Sequence, residues 1–216
     1  MYDTVIFDLD GTLLNTLDDI YVGVNNAMLI CGFPIKTKDE VRLAVGDGAA
    51  KLISRCMPKG EEGRFEECLT VFKAEYSKCK EDKTAPYPLV LRALNRLKEL
   101  GVKVGVVSNK PEPAVKALCD KWFNGLVSVA VGDDGIRPLK PNPQAIEFAL
   151  AKLGSDKQSA FYVGDQELDV LSAKNSGLKL IGAGWGFRGK EALMDAGAET
   201  VFSSPWEIAQ MLEKKE

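Results

Sequence analysis

The sequence predicts an α/β protein with a parallel sheet, interrupted after its first strand by a helical insert. Three observations carry this prediction. From about residue 90 onward, short β-branched or apolar runs alternate with helix-length segments, the pattern of repeated βαβ units. The first such run, Thr4 to Phe7, stands apart from the others. Between residues 17 and 83 no convincing strand occurs, and the spacing is helical and rather polar.

In chain order, Thr4–Phe7 reads as a buried strand that runs into the polar loop Asp8-Leu9-Asp10-Gly11-Thr12. Thr16 or Asp18 is placed to cap a helix with Ile20, Val24, Ala27, Met28 and Cys31 on one face, ended by Gly32-Phe33-Pro34. Helices follow over 39–45, 49–57 and 65–80, broken by Gly46-Asp47-Gly48 and Pro58-Lys59-Gly60. Pro86-Tyr87-Pro88 is a rigid connector. Beyond it the reading is helix 90–100, strand 102–107, helix 113–121 and strand 127–131. Helix 143–153 comes next, with Asn142 as its N-cap and Pro143 in its first turn. Strand 160–163, helix 169–176, strand 179–183, helix 191–196, strand 200–202 and helix 205–213 complete the chain. The expected domains are an α/β core over 1–15 and 84–216 and a helical cap over 16–83. Hinges are expected at Asn15–Leu17 and at Pro86 and Pro88.

Composition narrows the chemistry. The chain has 216 residues, 45% hydrophobic and 27% charged, enough to bury a core. Its net charge of −3, and three tryptophans without a basic stripe around them, argue against a nucleic-acid binder. No apolar run reaches the roughly 20 residues of a membrane span, and the N-terminus has no basic leader region. Histidine is absent, which removes histidine nucleophile activation, acid–base catalysis and metal ligation. Cys31, Cys56, Cys68, Cys79 and Cys119 form no C-x-x-C pair and read as unpaired thilos of a protein from the reducing cytoplasm.

Ligands of parallel α/β sheets bind at the carboxyl ends of strands, so the residues after each strand matter most. They are Asp8, Asp10 and Thr12; Ser108, Asn109 and Lys110; Lys140; and Asp165 with Asp169. Carboxylates gathered on one rim repel each other and call for a hard cation such as Mg²⁺. Hydroxyls, an amide and a lysine suit a phosphate. Together they predict a Mg²⁺-dependent phosphoryl-transfer centre. With no histidine or suitable cysteine, an aspartate is the candidate nucleophile, and the second Asp, two residues on, the candidate acid–base.

Asp8-Leu9-Asp10-Gly11-Thr12, Ser108-Asn109, Lys140-Pro141-Asn142-Pro143 and Gly164-Asp165-Gln166-Glu167-Leu168-Asp169 resemble, in order, the four motifs of the haloacid dehalogenase superfamily of phosphatases. The resemblance spans most of the chain and implies a Rossmann-like core with a helical cap. Val45-Gly46-Asp47-Gly48-Ala49, Gly184-Trp185-Gly186-Phe187 and Gly197-Ala198 are similar to its phosphoglycolate phosphatase group. Gln166 stands where that family usually has Ser, and Asn15-Thr16 where Asp-Ser is common.

The resemblance implies that Asp8 attacks phosphorus and ligates Mg²⁺. It implies that Asp10 is the acid–base, with its carbonyl on the metal, and that Thr12, Ser108 and Asn109 hold phosphate oxygens. Lys140 would offset negative charge, Asp165 ligate the metal, and Asp169 support the metal shell or orient Lys140. Arg42, Asp47, Gly48 and Lys51 are the cap candidates for substrate choice, with Arg55 beside them. The expected substrate is a small phosphorylated metabolite, phosphoglycolate among the candidates, with no nucleic-acid or membrane partner and a monomer or homodimer as the working form. Pyrophosphate, nucleotide or sugar-phosphate hydrolysis on the same site is the alternative, followed by a mutase or a non-catalytic binding protein.

Overall fold

The computed structural model describes residues 2–78 and 83–213. Its elements in chain order are β1 (Thr4–Phe7), β2 (Leu14–Asn15), α1 (Leu17–Ile30), α2 (Lys38–Ala44), α3 (Gly48–Cys56), α4 (Phe65–Lys78), β3 (Ala85–Pro86), α5 (Val90–Glu99), β4 (Lys103–Pro111) and α6 (Glu112–Phe123). They continue as β5 (Val129–Asp133), α7 (Gln144–Leu153), β6 (Ala160–Gly164), α8 (Glu167–Ser176), β7 (Lys179–Ala183), α9 (Gly189–Asp195), β8 (Val201–Phe202) and α10 (Trp206–Glu213). The chain divides into two units, Met1–Leu14 with Pro86–Glu216, and Asn15–Ala85.

The first unit is a six-stranded parallel sheet in the order β5-β4-β1-β6-β7-β8. Within it β1, made first, lies at the centre and pairs with β4 on one side and β6 on the other. Chain direction across the sheet reverses at β1, a topological switch point.

Alternate residues of each strand feed opposite faces. Val5, Phe7, Val104, Val106, Phe161 and Val163 pack with Val90, Leu94 and Leu97 of α5, Val115, Leu118 and Phe123 of α6, and Ile208 of α10. Ile6, Val107 and Tyr162 pack on the other face with Ile146, Ala149 and Leu150 of α7 and Ala173 of α8. Both faces are covered, which is why these strands read as continuous apolar runs.

Two expected strands differ by more than one residue at their ends. β4 was expected to stop at Val107, yet it continues through Ser108, Asn109 and Lys110. After a break in register, Pro111 still pairs with Asp133 of β5. β5 begins at Val129 rather than at 127, because the N–H groups of Leu126 and Val127 close the turn after α6 onto the Phe123 carbonyl. α7 starts at Gln144, with Pro143 rather than Asn142 in the N-cap position, and Asn142 Oδ1 accepts from the Gln144 N–H at 3.0 Å.

The helical unit has its own core, with Val24, Ala27 and Met28 of α1, Val41 of α2, Leu52 and Ile53 of α3, and Cys68 and Phe72 of α4 all buried. α2 carries a complete capping box between Thr37 and Glu40. Thr16 precedes α1, but its buried hydroxyl makes no capping bond. Asp19 instead ties the unit's far end, accepting from the Thr84 N–H at 2.8 Å and its hydroxyl at 2.6 Å. Cys31, Cys56, Cys68 and Cys119 are buried free thiols. Cys79, and the expected end of the fourth helix at residue 80, lie outside the described residues.

Candidate active site

The carboxyl ends of β1, β4 and β6 bring Asp8, Ser108 and Asp165 to the rim of the first unit, beside the switch point. β1 passes its last backbone bond from the Asp8 N–H to the Val163 carbonyl, at 2.8 Å. The chain then curls tightly, with the Leu9 carbonyl accepting from the N–H groups of Thr12, Leu13 and Leu14. Gly11 takes φ +85° in this curl, and a Cβ there would fall 2.3 Å from Asp165 Oδ2. Conformation and space both require glycine.

Lys140 is the hub of the cluster. Its ammonium lies 2.9 Å from Asp8 Oδ1, 2.9 Å from Asp169 Oδ1 and 2.9 Å from the Tyr162 hydroxyl. All three of its donors are thereby used. The Lys140 backbone is held too: its N–H donates to Asn109 Oδ1 at 2.8 Å, and its carbonyl accepts from Asn109 Nδ2 at 3.1 Å.

Asp169 accepts from Lys140 and Tyr162 on Oδ1, and from the Asp165 and Gln166 N–H groups on Oδ2, each at 3.1 Å. A carboxylate has about four acceptor positions, and those of Asp169 are filled from inside the protein. Asp165 accepts from the Thr12 hydroxyl at 3.0 Å and the Phe187 N–H at 2.8 Å, and so keeps acceptor capacity. Asp10 sits against Lys110, whose Nζ is 3.1 and 3.3 Å from its two oxygens.

Burial shapes the ionisation. It pushes the Asp8 carboxyl up to about 7, with Lys140 opposing and Asp169 and Asp10 reinforcing. Asp165 is raised well above the usual carboxylate range by burial, then by Asp169 and Asp8. Burial on its own would lower Lys140, but Asp169 and Asp8 override it and hold the ammonium well above its ordinary value. Tyr162 is likewise raised, by burial and by the Asp169 charge.

These groups suit a hard divalent cation. Asp8, Asp165 and Asp169 each bring an oxygen within 4.8 Å of the others. Among the described residues, four carboxylates, Asp8, Asp10, Asp165 and Asp169, face the two ammonium groups of Lys110 and Lys140. When all are ionised, two negative charges remain in a site that disfavours them. Asp8 and Asp165 have room to ligate, whereas Asp169 serves as the brace that orients Lys140 and the Asp165 backbone.

A pH prediction follows for the metal-free protein. Asp8 has a folded value of about 7 against an ordinary 3.8, so the native state holds its proton more tightly than the unfolded chain. The associated stability is full below the ordinary value and is lost as pH rises through about 7. Asp165 acts in the same direction. The Asp8 part amounts to about 4 kcal/mol at most, at 1.36 kcal/mol per unit. Melting in EDTA between pH 4 and 8 is expected to show this decline. Asp8→Asn flattens it, and an unchanged slope would remove Asp8 as its source.

Two expected phosphate ligands have partners within the protein. Thr12 is fully buried, and its one hydroxyl proton goes to Asp165. The Asn109 amide clamps the Lys140 backbone. Both position other groups. Ser108 Oγ accepts from the Lys110 N–H at 3.2 Å, which leaves its own proton for a ligand. Arg42, Asp47, Gly48 and Lys51 belong to the helical unit, where Arg42 bonds Asp39, Asp47 pairs with Arg55, and Gly48 opens α3 at φ +86°.

Lys110 stands among the strand-end residues named from the sequence but without a role there, whereas Tyr162 and the Trp185–Phe187 segment are absent from the expected site. Tyr162 had one signal, strand parity, which sets it on the same sheet face as Ile6. Trp185 donates from Nε1 to the Thr12 carbonyl at 2.8 Å. Gly186 is packed so closely that a Cβ would meet Asp165 Cβ at 2.2 Å and the Gly11 carbonyl oxygen at 2.4 Å. Gly186→Ala is expected to displace Asp165 and weaken divalent-cation affinity about 10- to 100-fold, read by calorimetric titration with the metal. Unchanged affinity would show that Asp165 tolerates the displacement.

Residues 5–183 match the family of haloacid dehalogenase-like hydrolases. A phosphoglycolate phosphatase of Pseudomonas fluorescens is 34% identical over 190 residues, covering 85% of this chain and 70% of its own length. One from Aquifex aeolicus is 32% identical, covering 85% of both chains. A crystal structure from Lactobacillus delbrueckii subsp. bulgaricus, of a provisionally named phosphoglycolate phosphatase, superposes with a TM-score of 0.91 at 28% identity over 98% of both chains. The chain belongs to the haloacid dehalogenase-like hydrolases. Within them it is a phosphoric monoester hydrolase. Among the described residues no helix is long and apolar enough to cross a membrane.

Proposed function

We propose that the protein is a Mg²⁺-dependent phosphatase of small phosphomonoesters, phosphoglycolate foremost, acting through an aspartyl phosphate on Asp8. The observation that carries the reading is the Asp8–Lys140–Asp169 network, which fixes one carboxylate at the end of the central strand with a cation built against it. The names of the relatives support the choice of phosphoglycolate.

In this reading the Asp8 carboxylate attacks phosphorus and the bond from phosphorus to the leaving oxygen breaks. Asp10 gives its proton to that oxygen. Asp10 then takes a proton from water, whose oxygen attacks phosphorus and releases inorganic phosphate and the Asp8 carboxylate. Lys140 offsets charge on Asp8 throughout, and Ser108 donates to a phosphate oxygen. Asp8, Asp165 and the Asp10 carbonyl would hold Mg²⁺, which supplies positive charge against the phosphate. Arg42, Asp47, Gly48 and Lys51 stay candidates for substrate choice on the likeness of residues 45–49 to the same group.

Phosphate release from phosphoglycolate, pyrophosphate, nucleotides and sugar phosphates, with Mg²⁺ and with EDTA, tests the proposal. Metal-dependent turnover with phosphoglycolate far ahead supports it. Pyrophosphate or a nucleotide ahead would replace the substrate, and no release from any ester would remove the reaction.

A further inference from the structure

Lys110 is the second cation of the strand-end cluster, and nothing in the reaction above uses it. It stands on the extension of β4 beyond Val107, with a side chain only 6% exposed, against an Asp10 carboxylate that is 14% exposed. A buried lysine beside the acid–base group has a structural use, holding that carboxylate in place. Its location gives it a second one.

In the proposed reaction the leaving oxygen must come within hydrogen-bond reach of Asp10, roughly 3 Å. Lys110 Nζ is 3.1 Å from the same carboxylate, so it lies at most about 6 Å from that oxygen. In the phosphate ester of a two-carbon hydroxy acid, the carboxylate begins two bonds beyond the leaving oxygen, about 2.5 Å away at ordinary bond lengths. The acid group of such a substrate therefore falls within range of the ammonium. The other ammonium of the cluster among the described residues, Lys140, has all three donors engaged with Asp8, Asp169 and Tyr162. A substrate carboxylate entering beside Asp10 adds negative charge to a centre already rich in it, so it needs a cation placed for it. A nearly buried ammonium interacts more strongly with such an anion than an exposed one does.

We propose that Lys110 is a specificity-determining residue: its ammonium binds an anionic group carried by the leaving alcohol one carbon from the ester oxygen, selecting phosphate esters of small 2-hydroxy acids. The inference rests on the phosphatase reading and narrows its substrate class. Lys110 thus serves both Asp10 and the substrate, and an incoming carboxylate shares the ammonium with Asp10.

The test compares phosphoglycolate with 2-hydroxyethyl phosphate, which has the same two-carbon frame but no acid charge. The full chain is assayed with Mg²⁺ as wild type, Lys110→Met, Lys110→Gln and Lys110→Arg. Because loss of the Asp10 contact affects both esters alike, the informative quantity is the ratio of their kcat/KM values. Wild type is expected to favour phosphoglycolate, and Lys110→Met to reduce that ratio about 10- to 100-fold, the scale of one hydrogen bond to a charged group. The loss is expected mainly in KM for phosphoglycolate. Lys110→Gln, which keeps a donor for Asp10 without the charge, is expected to lose the ratio equally, and Lys110→Arg to recover most of it. Should Lys110→Met fail to fold, the Gln and Arg pair carries the same comparison. An equal loss on both esters would overturn the specificity role and leave Lys110 as a positioning residue for Asp10. A wild type inactive on both esters would overturn the phosphatase reading itself, and that failure is visible before any variant is made.

Discussion

Asp8→Asn is expected to reduce phosphate release by about 10⁴-fold or more, the scale on which loss of a covalent nucleophile is felt. Asn keeps the size of Asp but cannot form the acyl phosphate. The site around it should persist, because Lys140 still holds Asp169 and Tyr162. The variant is expected to bind inorganic phosphate in calorimetry while turning nothing over. Acid-quenched wild type incubated with a ³²P-labelled ester should carry label on the protein, and Asp8→Asn none. Residual turnover above one part in a hundred, or label retained by the variant, would move the nucleophile elsewhere.

Lys140→Met is expected to have the largest effect on stability. Lys140 is buried and shared by Asp8 and Asp169, so its loss leaves two carboxylates in the interior without their cation. Removing one partner of a buried charge pair costs about 3–5 kcal/mol. In a chain of this size that lowers the melting temperature by roughly 10 °C. The loss should be greater at pH 8 than at pH 5, because a protonated carboxyl needs no counter-charge and Asp8 takes up its proton near pH 7. Tyr162→Phe makes a contrast: it removes one hydroxyl from the same ammonium and should cost only about 1 kcal/mol. A Lys140→Met protein that melts with wild type, at either pH, would show that the cluster does not depend on this charge.

What could be read from the sequence follows how local each signal is. β1 has the bounds expected of it because it is an apolar run between Asp3 and Asp8, and β7 because Gly177 and Gly184 lie close on either side of it. β4 ran past its expected end because Ser108-Asn109-Lys110 looks like a loop, and only the neighbouring β5 shows that the backbone stays extended. The strand-end aspartates and Lys140 were visible because carboxylates and a lysine at successive strand ends have few other uses. Thr12 and Asn109 were visible as polar residues but not by partner. A hydroxyl or amide serves a phosphate or a neighbouring carboxylate equally well, and the choice is made in three dimensions. Trp185-Gly186-Phe187 stood out only by likeness to a group. It acts through an indole N–H, a missing Cβ and a backbone N–H, and two of those three are independent of side-chain chemistry.

The central place of β1 has a consequence for synthesis. The strand leaves the ribosome before its partners, residues 103–106 and 160–163. At 5–20 residues per second, the wait for the first partner is on the order of 10 s. Until then Val5, Ile6 and Phe7 have no sheet to join. The Asn15–Ala85 unit, whose contacts are contiguous in the chain, emerges during that interval. The site comes later still, since Asp165 gains its backbone donor only when Phe187 has been made. A nascent chain stalled before that point carries Asp8 and Lys140 but lacks the donor that completes the surroundings of Asp165.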